Sequence, residues 1–224
     1  MKSKIFIAVD TTSISKVKKI IKNTQTSKLK IGYKFGLEFL NSKKGRKFVS
    51  QLKNKVTFGD YKYADVPNTC ASAIKAVKDL KFNYLTIHIS SGLEALKASK
   101  RAAGSSKLVG VTILTSLDKK DLKEIGFNRD VKKLVHHQAK LAKKANLDAI
   151  VCSAQEIKIV KRVFKKEIIT PGIRFSSSTN DQKRVLSPKQ AYRNGANWLV
   201  IGREITAKGS IKKNIQKLVD HLNK

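Results

Sequence analysis

Asp60, Lys62 and Asp65 stand close together in the run VTFGDYKYADVPNTC, residues 56–70, where two carboxylates flank one amine. Val56, Phe58 and Tyr61 are β-branched or aromatic, as in a short buried strand, and Pro67 forbids its simple continuation as a central strand. Residues two apart on a strand share a face, so Asp60 and Lys62 project together. Asp65 comes after the turn, from where it can return to the same site or reach a neighbouring subunit. A lysine between carboxylates is kept charged and oriented, which suits proton delivery to a carbon that is losing a substituent. The same D-x-K-x-x-D spacing also describes a surface ion-pair cluster at a strand end, and spacing alone does not separate the two.

The elements that must position these groups alternate from end to end. Strand-like segments fall at 5–9, 29–32, 56–60, 84–89, 108–114, 149–152, 167–170 and 198–201. Amphipathic, helix-like stretches lie between and after them, among them 12–22, 68–80, 93–103, 129–145, 154–164, 188–194 and 210–222, the last with Ile211, Ile215, Leu218 and Leu222 at helical spacing. Eight β-α units in this length predict an α/β fold, a TIM (β/α)8 barrel forming one catalytic domain over residues 1–224.

In such a barrel the active site lies at the C-terminal ends of the strands. Polar residues collect there: Asp10 after the first strand, Asp60 and Lys62 after the third, His88 on the fourth, Thr115 and Ser116 after the fifth, Gly202 and Arg203 after the eighth. Lys30 lies within the second. The runs TPGIR (170–174) and IGR (201–203) occupy the usual phosphate site of the fold, where a glycine lets an anion approach backbone N–H groups and an arginine adds a bidentate clamp. Between them RFSSSTNDQ, residues 174–182, reads either as a phosphate-gripping loop or as a plain solvent loop. His88 is read as a packed histidine and takes no assigned role.

Composition sets the outer bounds. The chain has 224 residues, 41% hydrophobic, enough for one sizeable core. No apolar run approaches the roughly 20 residues of a membrane helix, and residues 5–9 are too short for a signal-peptide core. The expected location is the cytoplasm, with no membrane partner. Cys70 and Cys152 make no disulfide framework, and with four scattered histidines they make no metal pattern. The charge is the oddity, 48 basic against 16 acidic residues, net +32. The lysines are spread along the chain in short groups without a basic arm or an aromatic nucleic-acid motif. They read as solvated helix faces whose field draws in an anionic small substrate, and nucleic-acid binding is not expected.

The string DYKYADVPNT (60–69) closely resembles the active-site motif of the orotidine 5'-phosphate decarboxylase family. FIAVD (6–10), LKIG (29–32), TIHISSG (86–92), GVTILTS (110–116), VCSAQE (151–156), TPGIR (170–174), DQ (181–182) and VIGR (200–203) extend the likeness over nearly the whole chain. The resemblance implies decarboxylation of orotidine 5'-phosphate to UMP and CO2 in de novo pyrimidine synthesis, with no cofactor and no metal. It implies that Asp60 presses on the substrate carboxylate while Lys62 protonates C6, with Lys30 and Asp10 at the ribose and Lys30 also in the charge network. Asp65 and Thr69 would enter the site of a second subunit, making a homodimer. Thr115 and Ser116 would recognise the pyrimidine, and Gln182, Gly202 and Arg203 the phosphate, with Arg174 at its edge. Gly59 and Ile89-Ser90-Ser91 depart from the usual pattern and bear on packing. The related Mg²⁺-binding sugar-phosphate enzymes resemble the chain through D-x-K-x-x-D, but they carry a glutamate on strand two, where Lys30 would repel a metal.

Overall fold

A computed structural model describes residues 2–175, 186–207 and 209–223. Eight parallel strands close into a barrel in sequence order. They are β1 (Lys4–Val9), β2 (Lys30–Phe35), β3 (Val56–Tyr63), β4 (Tyr84–His88), β5 (Lys107–Val111), β6 (Ala149–Val151), β7 (Glu167–Thr170) and β8 (Trp198–Ile201). The expected barrel is therefore the observed one, and β7 and β8 have the expected bounds. Helices follow the strands, among them Ile14–Asn23, Pro67–Lys75, Leu93–Ala102, Val131–Lys144, Ile157–Val163, Pro188–Asn194 and Ile211–Asn223. Among the described residues no helix is long and apolar enough to cross a membrane.

Alternation along the strands separates two apolar layers. Outward residues such as Ile5, Ile7, Tyr33, Phe35, Leu85 and Ile87 are buried beneath the helices. Inward residues Phe6, Phe58, Tyr84 and Trp198 fill the barrel interior toward the N-terminal ends of the strands. Phe6 stacks on Trp198 with ring centroids 4.1 Å apart and meets Tyr84 edge-on at 5.3 Å. Such aromatic pairs add about 1 kcal/mol each beyond the area they bury.

Three expected boundaries are corrected. β5 stops at Val111, and residues 112–114 lead into the following loop. β3 continues past Asp60 to Tyr63 through a register shift against β4. β2 continues past Gly32 to Phe35. Gly32 reads as a strand end, yet it is an interior position: a Cβ there would lie 2.6 Å from Phe6 Cε1. The missing side chain makes room for the central aromatic, so the glycine serves packing and the strand runs on. Tyr33 anchors that extension from outside, its hydroxyl 2.9 Å from the Thr24 hydroxyl at the end of the helix Ile14–Asn23. With Tyr33 and Phe35 turned outward, Lys30, Gly32 and Lys34 all face the barrel axis.

Candidate active site

Asp60 sits at the centre of the C-terminal mouth and is only 7% exposed. Its Oδ2 receives Lys62 Nζ at 2.8 Å and Lys34 Nζ at 3.0 Å. Its Oδ1 accepts the Thr86 hydroxyl at 3.2 Å. Lys34 also lies 3.9 Å from Asp10 Oδ1. Burial by itself pushes the Asp60 carboxyl upward, but the ammonium groups of Lys34 and Lys62 outweigh it and hold the acid below its ordinary range. Burial likewise pulls Lys34 downward, and Asp60 and Asp10 overcome it, so this amine is held above its ordinary range. Each partner thus keeps the other charged in a largely buried position.

The cluster opens into a cavity of about 250 Å³, a little below the usual range of small-molecule clefts. Asp10, Lys34, Asp60 and Lys62 form one wall, Thr115 and Leu114 lie on the β5 side, and Arg174, Gly202 and Arg203 close the β7–β8 side. Gly172 has a φ of 72° and turns the chain there. A Cβ on Gly202 would come within 3.3 Å of Ala8 Cβ and 3.6 Å of Asp10 Oδ2, so the bare backbone lets this wall approach β1. One side of the cavity is therefore a fixed charge network, and the other offers glycine backbone and guanidinium groups to an anion. Among the described residues no group of three or more His, Cys, Asp or Glu is placed to hold a metal ion.

Residues 3–218 match the family model described as orotidine 5'-phosphate decarboxylase / HUMPS family. The chain belongs to that family. It is 39% identical over 226 residues to the orotidine 5'-phosphate decarboxylase of a Wolbachia of Brugia malayi, covering 98% of this chain and 99% of the relative. It is 45% identical over 172 residues to that of Ehrlichia chaffeensis, covering 75% and 74% respectively. The crystal structure of the Lactobacillus acidophilus orotidine 5'-phosphate decarboxylase superposes over the full length of both chains, with a TM-score of 0.83 at 26% identity.

Against this family frame the expected site residues divide. Asp10, Asp60, Lys62, Thr115, Arg174, Gly202 and Arg203 line one cavity. Ser116 is exposed and is not among the lining residues. Asp65 and Thr69 are exposed at the start of the helix Pro67–Lys75. Asp65 Oδ1 accepts the Val66 N–H at 2.7 Å, and among the described residues it joins no ion pair. Gln182 and the rest of the 176–182 stretch lie outside the described residues. His88 is half-buried and not among the lining residues; burial and then Lys62 push its imidazole below the ordinary value, against Asp60.

Lys30 is a correction. It is exposed at the opposite, N-terminal end of β2, its amine 6.0 Å from the centre of the Trp198 ring. The charge network contains Lys34 instead, on the same face four residues further along β2, beyond Gly32. The signal was present in the sequence: Lys30, Gly32 and Lys34 alternate with Ile31, Tyr33 and Phe35, a period of two that continues through the glycine. Thr86 was also missed, because a threonine inside a strand is ordinary unless its neighbours across the sheet are known.

Proposed function

We propose that this protein is an orotidine 5'-phosphate decarboxylase that works without cofactor or metal, as a homodimer of single catalytic domains. The observation that carries the reading is the Asp60 Oδ2 atom held between Lys34 and Lys62 at 3.0 Å and 2.8 Å on the wall of a closed-ended cavity. In this reading the phosphate lies against Gly202, Arg203 and Arg174, and the pyrimidine is placed near Thr115. Its C6 carboxylate is set beside Asp60.

Loss of CO2 breaks the C6–C bond and leaves the electron pair on C6, a carbanion with no conventional electron sink. The Lys62 ammonium stabilises that charge and gives it a proton, yielding UMP and a neutral amine; solvent then returns a proton and restores the ammonium. The catalysis asked of the protein is electrostatic preorganisation in a water-poor site. Lys34 contributes by holding Asp60 ionised and fixed, and Asp10 and Lys34 face the ribose. Phosphate binding, remote from C6, supplies energy for orienting the base.

Two further features support the reading. The Lys34 ammonium, 3.0 Å from Asp60 and 3.9 Å from Asp10, sets a positive charge between the carboxylates that a metal ion would need. Exposed Asp65 and Thr69 flank Val66, 62% exposed, so a large apolar side chain accompanies the residues assigned to a second subunit.

The test is the loss of orotidylate absorbance on adding purified protein in EDTA, beside Lys62→Ala. Turnover by the wild type that the substitution abolishes is expected. A folded wild type that turns nothing over under these conditions contradicts the proposal, and Mg²⁺-dependent sugar phosphates become the next substrates to try.

A further inference from the structure

We propose that Thr86 is a positioning residue for the Asp60–Lys62 pair, through one hydroxyl that ties the carboxylate of the first to the backbone of the second. The inference rests on the reading of those two residues as the reacting pair. Its basis is an irregularity in β3. Phe58 pairs with Tyr84 and Gly59 with Leu85, but the next paired residues are Tyr63 and Ile87. Over that interval β3 advances four positions while β4 advances two, so β3 bulges where Asp60 and Lys62 lie. Bulges beside active sites re-aim side chains that a regular strand would send elsewhere.

The bulge places Lys62 at a φ of 52°, in the left-handed region that a long side chain normally avoids. Such a conformation persists only where its surroundings over-determine it. On the outer face Tyr61 and Tyr63 stack with ring centroids 5.0 Å apart and planes 7° from parallel. On the inner face the Thr86 hydroxyl accepts the Lys62 N–H at 2.7 Å. Thr86 is fully buried, so its hydroxyl has only protein partners. Accepting from Lys62 leaves its proton for Asp60 Oδ1, 3.2 Å away. With donor and acceptor both committed, the hydroxyl fixes the plane of the carboxylate, occupies Oδ1 and leaves Oδ2 to the two amines. The same atom that orients the acid also pins the main chain from which the Lys62 amine projects.

Thr86→Val keeps the shape and removes the hydroxyl, stranding the Lys62 N–H and Asp60 Oδ1 in a dry place. Lys34, Lys62 and the phosphate wall are untouched, so nucleotide binding should survive while the reacting groups lose their alignment. The expected result is a fall in kcat of roughly 10- to 100-fold with KM within about 3-fold, the scale of a misplacement near 1 Å. Thr86→Ser, which restores the hydroxyl, should return kcat to within about 3-fold of wild type. A Thr86→Val enzyme with wild-type kcat, or a Thr86→Ser enzyme as impaired as Thr86→Val at equal Tm, overturns the assignment. Should Thr86→Val not fold, amide exchange of the wild type decides: a protected Lys62 N–H is expected, and exchange as fast as in an exposed loop overturns it. Lys62→Ala in the same assay separates the two levels. An inactive wild type defeats the decarboxylase reading and this one together, whereas full activity of Thr86→Val beside inactive Lys62→Ala defeats only the role of Thr86.

Discussion

At the C-terminal end of the barrel two ammonium groups share one buried carboxylate oxygen, and at the N-terminal end lysines lie over aromatic rings. Both ends draw on strand residues that face the barrel axis, and β2 contributes a lysine to each. On β2 the contrast is between Lys30 and Lys34, four residues or roughly 13 Å apart along one face. Lys30 is exposed near the Trp198 ring, with Lys4 at 5.9 Å from the same centroid. Nearby, Lys107 pairs with Glu167 at 2.8 Å, and Glu167 accepts the Tyr84 hydroxyl at 2.9 Å. These contacts are partly open to water and contribute little each. Lys34 has the same chemistry and a different depth, and depth converts a surface cation into a member of a coupled network. Position along the strand, more than residue type, decides which lysine joins the buried carboxylates.

The largest effects belong to the top of the barrel. Lys62→Ala is expected to lower kcat by about 10⁴-fold, the upper range for loss of a general acid, measured by orotidylate absorbance. Asp60→Asn should lower kcat comparably and also cost about 3 kcal/mol of stability, because it leaves two ammonium groups facing each other without their counter-charge. A thermal melt and an assay on the same sample check both parts.

Subunit mixing addresses Asp65. Asp65→Ala and Lys62→Ala should each be nearly inactive as separate dimers. After exchange of subunits, half the dimers are hybrids with one intact site of two, so about a quarter of wild-type activity should return. No recovery in exchanged samples would mean that Asp65 acts within its own chain or not at all.

The bottom of the barrel should respond in stability alone. Trp198→Ala removes the ring stacked on Phe6 and is expected to cost about 3–5 kcal/mol by chemical denaturation, with KM near wild type in the surviving enzyme. A large change in KM without loss of stability would blur the division between the two ends.

The smallest effect is that of pH. Asp60 is depressed because two amines outweigh burial, so its stabilising contribution is present above roughly pH 4 and is lost as pH falls through the lowered value. Lys34 is raised because two carboxylates outweigh burial, so its contribution is present below roughly pH 10 and is lost as pH rises through the raised value. Between about pH 5 and 9 neither group should bend the profile of Tm, and a titration of either inside that window would show the network to be weaker than its geometry implies.

Much of this arrangement was legible in the chain, and the gaps have physical causes. Alternation and turn chemistry located all eight strands, and the short span from Asp60 to Asp65 contained the ion pair that lines the cavity. Gly32 misled, because a glycine that clears space for Phe6 is locally indistinguishable from one that ends a strand, and with the end misplaced Lys34 fell outside β2. The helices Leu37–Leu40 and Gly45–Ser50 were not anticipated, since one or two turns are too short for periodicity and neither carries a side-chain cap. Gly59 departs from the family pattern for a reason visible only in three dimensions: a Cβ there would meet Leu85 at 2.9 Å and Tyr61 at 3.0 Å. Thr86 and the left-handed backbone of Lys62 depend on the pairing of β3 with β4, which no local pattern encodes.

The most direct test of the contrast between the two ends is kcat for Lys34→Ala beside Lys30→Ala, both assayed on orotidine 5'-phosphate at saturation. Loss of Lys34 should lower kcat by at least about 100-fold, as expected for a group that preorganises charge in the site, while loss of Lys30 should leave it within about 2-fold. Equal losses, or a greater loss at Lys30, would contradict the account.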